Sequence, residues 1–496
     1  MLELSAADRA EVWRTAIEGV DAYLAEVAEL GAGRPIDRDA VAELLASFDF
    51  DSPLQPQEAV GLALRGLREL QQHARHPRYF GLFEAAPTTM AVVGETLAAT
   101  FNACVATRDA SPFGVGAEEK LITEFGTRFG YRADEVDGIV TTGGSESNLS
   151  AVLLALRHRF PEYRDTGLLG LTSRPVVYAS AEAHPSVAKA VRLVGLGMQS
   201  VRIVPTDRAQ RMDLAALREL IAADRQAGLT PLAVVATAGT TGSGTVDPLD
   251  GAADVAAEHG LWLHVDAAWG AAAALLPELA DTFRGLGRAD SLTFDPHKWM
   301  SVPLGIGLLL TRHRGLLERT FGIDDSFLGD AAGGADVRSE PFTRSIRWSR
   351  SFAGLKLLMS MSVVGWRGFE ETLRHQVGLG DELRRALVGS GWRIVNDTPL
   401  PVVCFLPEAA ADQEPERLRL LAKMVNATGE ARIFVVRIGG RYTLRACITN
   451  HATTAADIAV LVDVLGDAMK RLGADGVDAE ALRGVAAEAG TCQLGG

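Results

Sequence analysis

The chain has 496 residues, 47% of them hydrophobic, and a formal net charge of −14. That length and apolar content can bury a large core but exceed one compact domain, and the acidic balance argues against nucleic acid or an anionic membrane surface as partner. Cys104, Cys404, Cys447 and Cys492 are widely spaced with no CxxC pair, so neither a zinc site nor a disulfide framework is indicated and a reducing cytoplasm is expected.

In chain order, the segment Met1 to Arg9 carries charges where a signal peptide needs an apolar core, and no apolar stretch is long enough to span a bilayer. Apolar positions at helical period predict helices over about Val12 to Leu30 and Pro56 to Gln72. From about 89 to 365, short apolar strands around Ile139, Val176, Val201, Leu232, Leu261, Ser291 and Gly305 alternate with helical stretches. This alternation predicts a mostly parallel sheet with helices on both faces. Beyond 366, a smaller α+β unit is predicted. It has a helix over Phe369 to Leu387, a strand at Val402 to Phe405, a hairpin from Ile433 to Thr449 turning at Gly439-Gly440, and a helix from about Thr453 to Leu472. The tail after Gly473 is rich in Ala and Gly, with a weak helical stretch near Glu480.

The chemistry gathers at predicted strand ends, where ligand sites of such sheets lie. The run from Ser291 to Lys298 places a lysine directly after His297, and the run from Leu261 ends in Asp266. Pyridoxal phosphate (PLP) needs such a pair: an amine to join its aldehyde, and a carboxylate to keep its pyridine nitrogen protonated so that the ring accepts electrons. Singly, a lysine there is more often a solvated charge and an aspartate a helix cap. Three further segments change the balance. Gly138 to Asn148 reads as strand, Gly143-Gly144-Ser145 turn and helix, exposing N–H groups and a positive helix end that suit a phosphate, although Ser145 as a plain cap is an equal reading. His184 follows the strand at Val176 and stands at the mouth of a helix, where an imidazole can stack on a flat ring. The strand at Leu232 runs into small and hydroxyl residues, Thr240 among them, which let a ligand approach the backbone.

On these residues, from about His76 to about Asn450, the chain resembles the group II PLP-dependent amino-acid decarboxylases, the family of the aromatic-amino-acid, glutamate and diaminobutyrate decarboxylases. The resemblance implies an α/β fold of PLP fold type I, aspartate-aminotransferase-like. It also implies a helical dimerisation segment at 1–88, a large PLP-binding domain at 89–365, a small C-terminal domain at 366–496, and a homodimer. It further implies that Lys298 joins the cofactor's aldehyde, Asp266 pairs with the pyridine nitrogen and His184 stacks on the ring. Gly143, Gly144, Ser145 and His297 would surround the phosphate, Ala268 would lie under the ring, and Thr240 is counted with the cofactor-binding set. Asp295 stands where many relatives have asparagine. The segment His76 to Glu84 resembles the substrate-side wall, with Tyr79, Phe80 and Phe83 as lining candidates and Glu84 as a candidate contact for a cationic side chain; the same aromatics equally suit a core.

The implied reaction is decarboxylation of an L-amino acid to amine and carbon dioxide, an aromatic substrate being one candidate. In the family's aromatic-acid members a loop tyrosine is the proton donor. Here the loop Phe321 to Asp336 carries Phe327 at that position, and phenylalanine has no proton to give. Either another donor acts, or dioxygen intervenes to give an aldehyde, ammonia and hydrogen peroxide. An aminotransferase or another PLP lyase is a further alternative, because fold alone does not fix the reaction.

Overall fold

The computed structural model describes residues 2–33, 35–323, 340–408 and 415–474. They pack as two compact units that cut across the consecutive segments 1–88, 89–365 and 366–496. One unit takes residues 2–82, 415–434 and 452–474, and the other takes 83–408 and 435–451.

The first unit is helical. Helix α1 (Ala6–Glu26) starts at Ser5, whose hydroxyl accepts the N–H of Asp8, so helix begins earlier than the apolar period alone suggests. Helix α2 (Arg38–Ala46) is capped by Asp37, and α3 (Pro56–Glu69) opens with proline in the first turn, where the missing N–H has no helical partner to lose. The helices Pro415–Ala427 and Ala455–Ala474 complete it.

The second unit holds a seven-stranded sheet of β1 (Asp137–Thr141), β2 (Pro175–Ser180), β3 (Val201–Val204), β4 (Thr230–Thr237), β5 (Trp262–Asp266), β6 (Ser291–Phe294) and β7 (Gly307–Thr311), in the order β1-β7-β6-β5-β4-β2-β3. The steps from β3 to β6 are parallel, and β7 runs antiparallel to both β6 and β1. The expected strand near Gly305 is therefore present, with reversed direction. Its strands are apolar on consecutive residues because both faces are covered. Val177, Ala179, Val235 and Leu309 pack on one side, whereas Val176, Tyr178, Val234, Leu308 and Leu310 pack on the other.

A second, antiparallel sheet comprises β8 (Trp392–Ile394), β9 (Val402–Pro407), β10 (Phe434–Ile438) and β11 (Arg441–Cys447). The β10–β11 turn uses Gly439 (φ 52) and Gly440 (φ 79), the left-handed pair that a two-residue hairpin requires. Asn396 and Thr398 donate to the carbonyls of Ser243 and Gly244 at 2.7 Å each, tying this sheet to the loop after β4. The predicted helix near Phe369 begins earlier, as helical residues from Gly354 interrupted at Gly365 (φ 65). No helix among the described residues is long and apolar enough to cross a membrane.

Candidate active site

The strand ends of the large sheet converge on a cavity of about 310 Å³. Gly143, Gly144, Ser145, His184, Asp266, Ala268, His297 and Lys298 all line it, so the residues singled out for a cofactor share one wall. Thr240 does not line it. That side chain is fully buried and hydrogen-bonded to Ser243 at 2.8 Å, and the next residue, Thr241, faces the cavity instead.

Local sequence explains each placement. β6 ends at Phe294, and Pro296 starts a one-turn helix, Pro296–Trp299, that presents Lys298. The Lys298 amine lies 3.1 Å from Asp295 Oδ2. Asp266 is the last residue of β5 and is 4% exposed. Its Oδ1 accepts the N–H of Ala268 at 3.2 Å, and its Oδ2 accepts Asn148 Nδ2 at 2.8 Å. Helix α6 (Gly144–Arg159) begins immediately after Gly143, whose φ of 149° is open to glycine; a Cβ there would stand 3.0 Å from His297. His297 donates Nδ1–H to the Ile306 carbonyl at 2.5 Å, leaving Nε2 toward Asp295, 3.8 Å away.

Gly307, the first residue of β7, is required by crowding: a Cβ would lie within 2.7 Å of Thr141 Oγ1, Asp295 Oδ1 and Gly143 Cα. Glu146 steadies the turn from the other side, accepting the N–H and hydroxyl of Thr142 at 2.8 and 2.7 Å and the guanidinium of Arg347 at 3.1 Å.

A buried hydrogen-bond chain that sequence reading missed supports Asp266. Trp262 Nε1 donates to Ser291 Oγ at 2.9 Å, and Ser291 lies 2.8 Å from His264 Nδ1. Because Asn148 Nδ2 donates to Asp266, Asn148 Oδ1 is the acceptor for His264 Nε2–H at 3.0 Å and for Thr293 at 2.9 Å. Burial holds His264 well below the ordinary histidine range, at about 4, so it is neutral at pH 7. Asn148 also donates to Ser186 Oγ at 2.9 Å. Ser186 in turn donates its N–H to His184 Nδ1 at 3.2 Å, which leaves that nitrogen unprotonated. Desolvation lowers the His184 pKa, while Asp266 opposes the shift.

Three buried polar atoms on residues of the cavity wall have no hydrogen-bond partner among the described residues: Thr237 Oγ1, Trp269 Nε1 and Asp295 Oδ1. The exposed helix end, the amine and the double-accepting carboxylate match the three polar parts of PLP: phosphate, aldehyde and ring nitrogen.

The substrate-wall candidates sit elsewhere. Tyr79, Phe80 and Phe83 are buried and do not line the described cavity; Glu84 is partly buried and does not line it either. Within the helical unit, Phe80 donates its N–H to the Arg432 carbonyl. Phe83 stacks on Trp269 at 4.5 Å, one layer behind the wall. Core burial has claimed these rings, since an aromatic side chain gains most where it is fully covered. Phe327 lies outside the described residues.

A mostly parallel α/β sheet that brings a lysine, an aspartate and a glycine turn to its carboxyl ends defines a PLP-dependent enzyme of fold type I. Residues 58–407 match the pyridoxal-dependent decarboxylase conserved domain, and the chain belongs to that family. It is 28% identical to the aromatic-L-amino-acid decarboxylase of Bacillus atrophaeus over 92% of this chain and 94% of that one. It is also 31% identical to human cysteine sulfinic acid decarboxylase over 81% of this chain and 83% of that one. Among solved structures, Oryza sativa TDC with PLP and tryptamine superposes with a TM-score of 0.87 at 25% identity, covering 95% of this chain and 99% of that one. Mouse CSAD in apo form gives 0.85 at 26% identity, with 92% and 98% covered. PLP is the cofactor, and the enzyme is an amino-acid decarboxylase, a carboxy-lyase.

Proposed function

We propose that the enzyme decarboxylates an L-amino acid with an uncharged aromatic side chain, releasing amine and carbon dioxide. The observation that weighs against an acidic substrate is the charge of the cavity wall. Its basic groups are Lys298, His184 and His297, each next to a cofactor-facing position, whereas Glu146, Asp266 and Asp295 are acidic. No arginine lines it among the described residues, so an acidic side chain meets no dedicated cation there. The Bacillus atrophaeus relative, similar over nearly its whole length, bears the name of an aromatic-amino-acid enzyme, which supports the same reading.

The residues divide the work. Lys298 would hold the cofactor's aldehyde, Asp266 would keep the proton on its ring nitrogen, His184 would lie beside the ring, and the Gly143 turn with His297 would receive the phosphate. Bound PLP supplies the electron-accepting ring that makes loss of the carboxylate feasible. The test is to incubate the holoenzyme with the twenty protein amino acids and cysteine sulfinate, scoring carbon dioxide, amine and peroxide separately. Release of carbon dioxide from aspartate, glutamate or cysteine sulfinate alone would overturn the aromatic assignment.

Phe327 favours a second reading. Without a positioned acid, dioxygen competes for the electron pair left at Cα. The amino acid, dioxygen and water then yield aldehyde, carbon dioxide, ammonia and hydrogen peroxide. Aldehyde and peroxide from wild type in air, shifting toward amine in Phe327→Tyr, is the expected result under this reading; amine alone from both proteins rejects it.

We further propose a homodimer. Trp13, Ile17, Val20 and Leu24 lie exposed along α1, and α4 (Thr89–Phe101) exposes Val92, Val93, Leu97 and Phe101, the last at 78%. Apolar rows of this size on soluble proteins mark association surfaces. Sedimentation of wild type and Phe101→Asp at micromolar concentration tests it, and a monomeric wild type would reject it.

A further inference from the structure

Asp295 precedes the lysine turn, and its surroundings are unusual for an anion. The side chain is 2% exposed. One oxygen, Oδ2, accepts the N–H of Gly144 at 3.0 Å, lies 3.1 Å from the Lys298 amine and is 3.8 Å from His297. The other, Oδ1, is buried without a hydrogen-bond partner among the described residues.

Gly144 is the first residue of α6, and the following N–H groups of Glu146 and Ser147 are already taken by the Gly143 carbonyl. The N–H that Asp295 occupies is thus a leading donor of the helix end that points into the cavity, where an anion is favoured. An asparagine at this place could turn its amide toward a phosphate and donate to it. A carboxylate can only accept, so phosphate and carboxylate compete for the Gly144 N–H.

We propose that Asp295 is an electrostatic opponent of the cofactor phosphate: it holds the α6 end and the Lys298 amine when the phosphate is absent and weakens retention of the cofactor when it is present. This rests on the reading that the Gly143 turn receives the phosphate. The consequence is a protein that retains PLP less tightly than one with asparagine at the same place.

The experiment titrates refolded or dialysed apoprotein, wild type and Asp295→Asn, with PLP, with pyridoxal, which lacks the phosphate, and with inorganic phosphate. Binding is followed by quenching of tryptophan fluorescence, to which Trp269 on the cavity wall contributes. Removing one like charge near the phosphate should tighten PLP and inorganic phosphate by about tenfold or more, and change pyridoxal, which brings no phosphate, by much less. Asp295→Ala, which removes the acceptor altogether, should also bind inorganic phosphate more tightly than wild type. If Asp295→Asn binds PLP no more tightly than wild type, or gains equally for PLP and pyridoxal, the proposal is overturned. If wild type itself prefers PLP to pyridoxal by nothing, the phosphate reading of the Gly143 turn fails first, and the two failures are told apart.

Discussion

Replacing Asn148 with leucine keeps its branched shape, adds some bulk, and removes every side-chain polar contact it makes. Asp266 Oδ2 loses a donor at 2.8 Å and Ser186 Oγ loses one at 2.9 Å, while His264 Nε2–H and the Thr293 hydroxyl lose their shared acceptor. All four partners are buried, with exposures of 6% or less. Ser186 Oγ keeps His184 Nδ1 at 2.7 Å, and His264 Nε2 and Thr293 keep each other at 3.3 Å, so the charged Asp266 Oδ2 is the group most nearly stranded. Stranding a buried polar group costs about 1–3 kcal/mol, more for a charged one, which gives a loss of about 3 kcal/mol. Thr293→Val is the control: Asn148 Oδ1 keeps His264, and the expected loss is about 1 kcal/mol. Urea unfolding of both apoproteins gives the stabilities. PLP titration then shows whether Asn148→Leu also binds cofactor more weakly, as it should once Asp266 can rotate. Equal midpoints for Asn148→Leu and Thr293→Val, with unchanged PLP affinity, would refute the argument that this chain fixes Asp266.

Borohydride treatment of the yellow holoprotein should abolish its visible absorbance and fix the label on Lys298; a labelled peptide from elsewhere rejects the assignment. Asp266→Asn should keep PLP and lose most turnover, because an amide cannot hold the ring proton, and near-normal rates would count against that role. Acid should destabilise the fold early: burial holds His264 and His76 at about 4 in the folded chain, against about 6.5 when unfolded. As pH falls from 6.5 toward 4 the unfolded state takes up both protons first. Asp247, pushed up to about 6 by burial, acts the other way by holding a proton in the folded chain. Over these three groups the net of one proton corresponds to a fall of about 1.4 kcal/mol per pH unit, with His158, His184 and His297, also lowered, adding to it and Glu118, raised, opposing it; urea midpoints that stay flat from pH 6.5 to 4.5 would disprove it. Gly307→Ala should lower PLP occupancy and stability together, since its Cβ meets the Gly143 backbone as well as side chains.

The residues that share the cavity were legible because most sit where a strand visibly stops. An apolar run ending in Asp266, or in Asp295-Pro-His-Lys298, marks a strand end and its chemistry in adjacent letters. The aromatic segment was ambiguous for the opposite reason: the same rings serve a core or a pocket, and only packing shows that Phe80 is fully covered and that Phe83 stacks on Trp269. Thr240 and Thr241 alternate in direction, so a one-residue choice decides which faces the cavity. Asn148 and His264 are 116 residues apart, and nothing local announces their bond. The three-residue strand β8 is too short for a period to emerge.

The antiparallel insertion of β7 sets a dimension that no catalytic residue sets for itself. β1 delivers the glycine turn and β6 delivers the lysine segment, yet the two are not neighbours; Gly307 pairs with Thr141 and Leu308 with Phe294, the last residues of each. At about 4.8 Å per strand step, the two ends are held nearly 10 Å apart by a strand that carries no reactive group. That spacing works as a gauge. The separation of the two strand ends is written into backbone pairing, and side chains around the cavity can change without altering it.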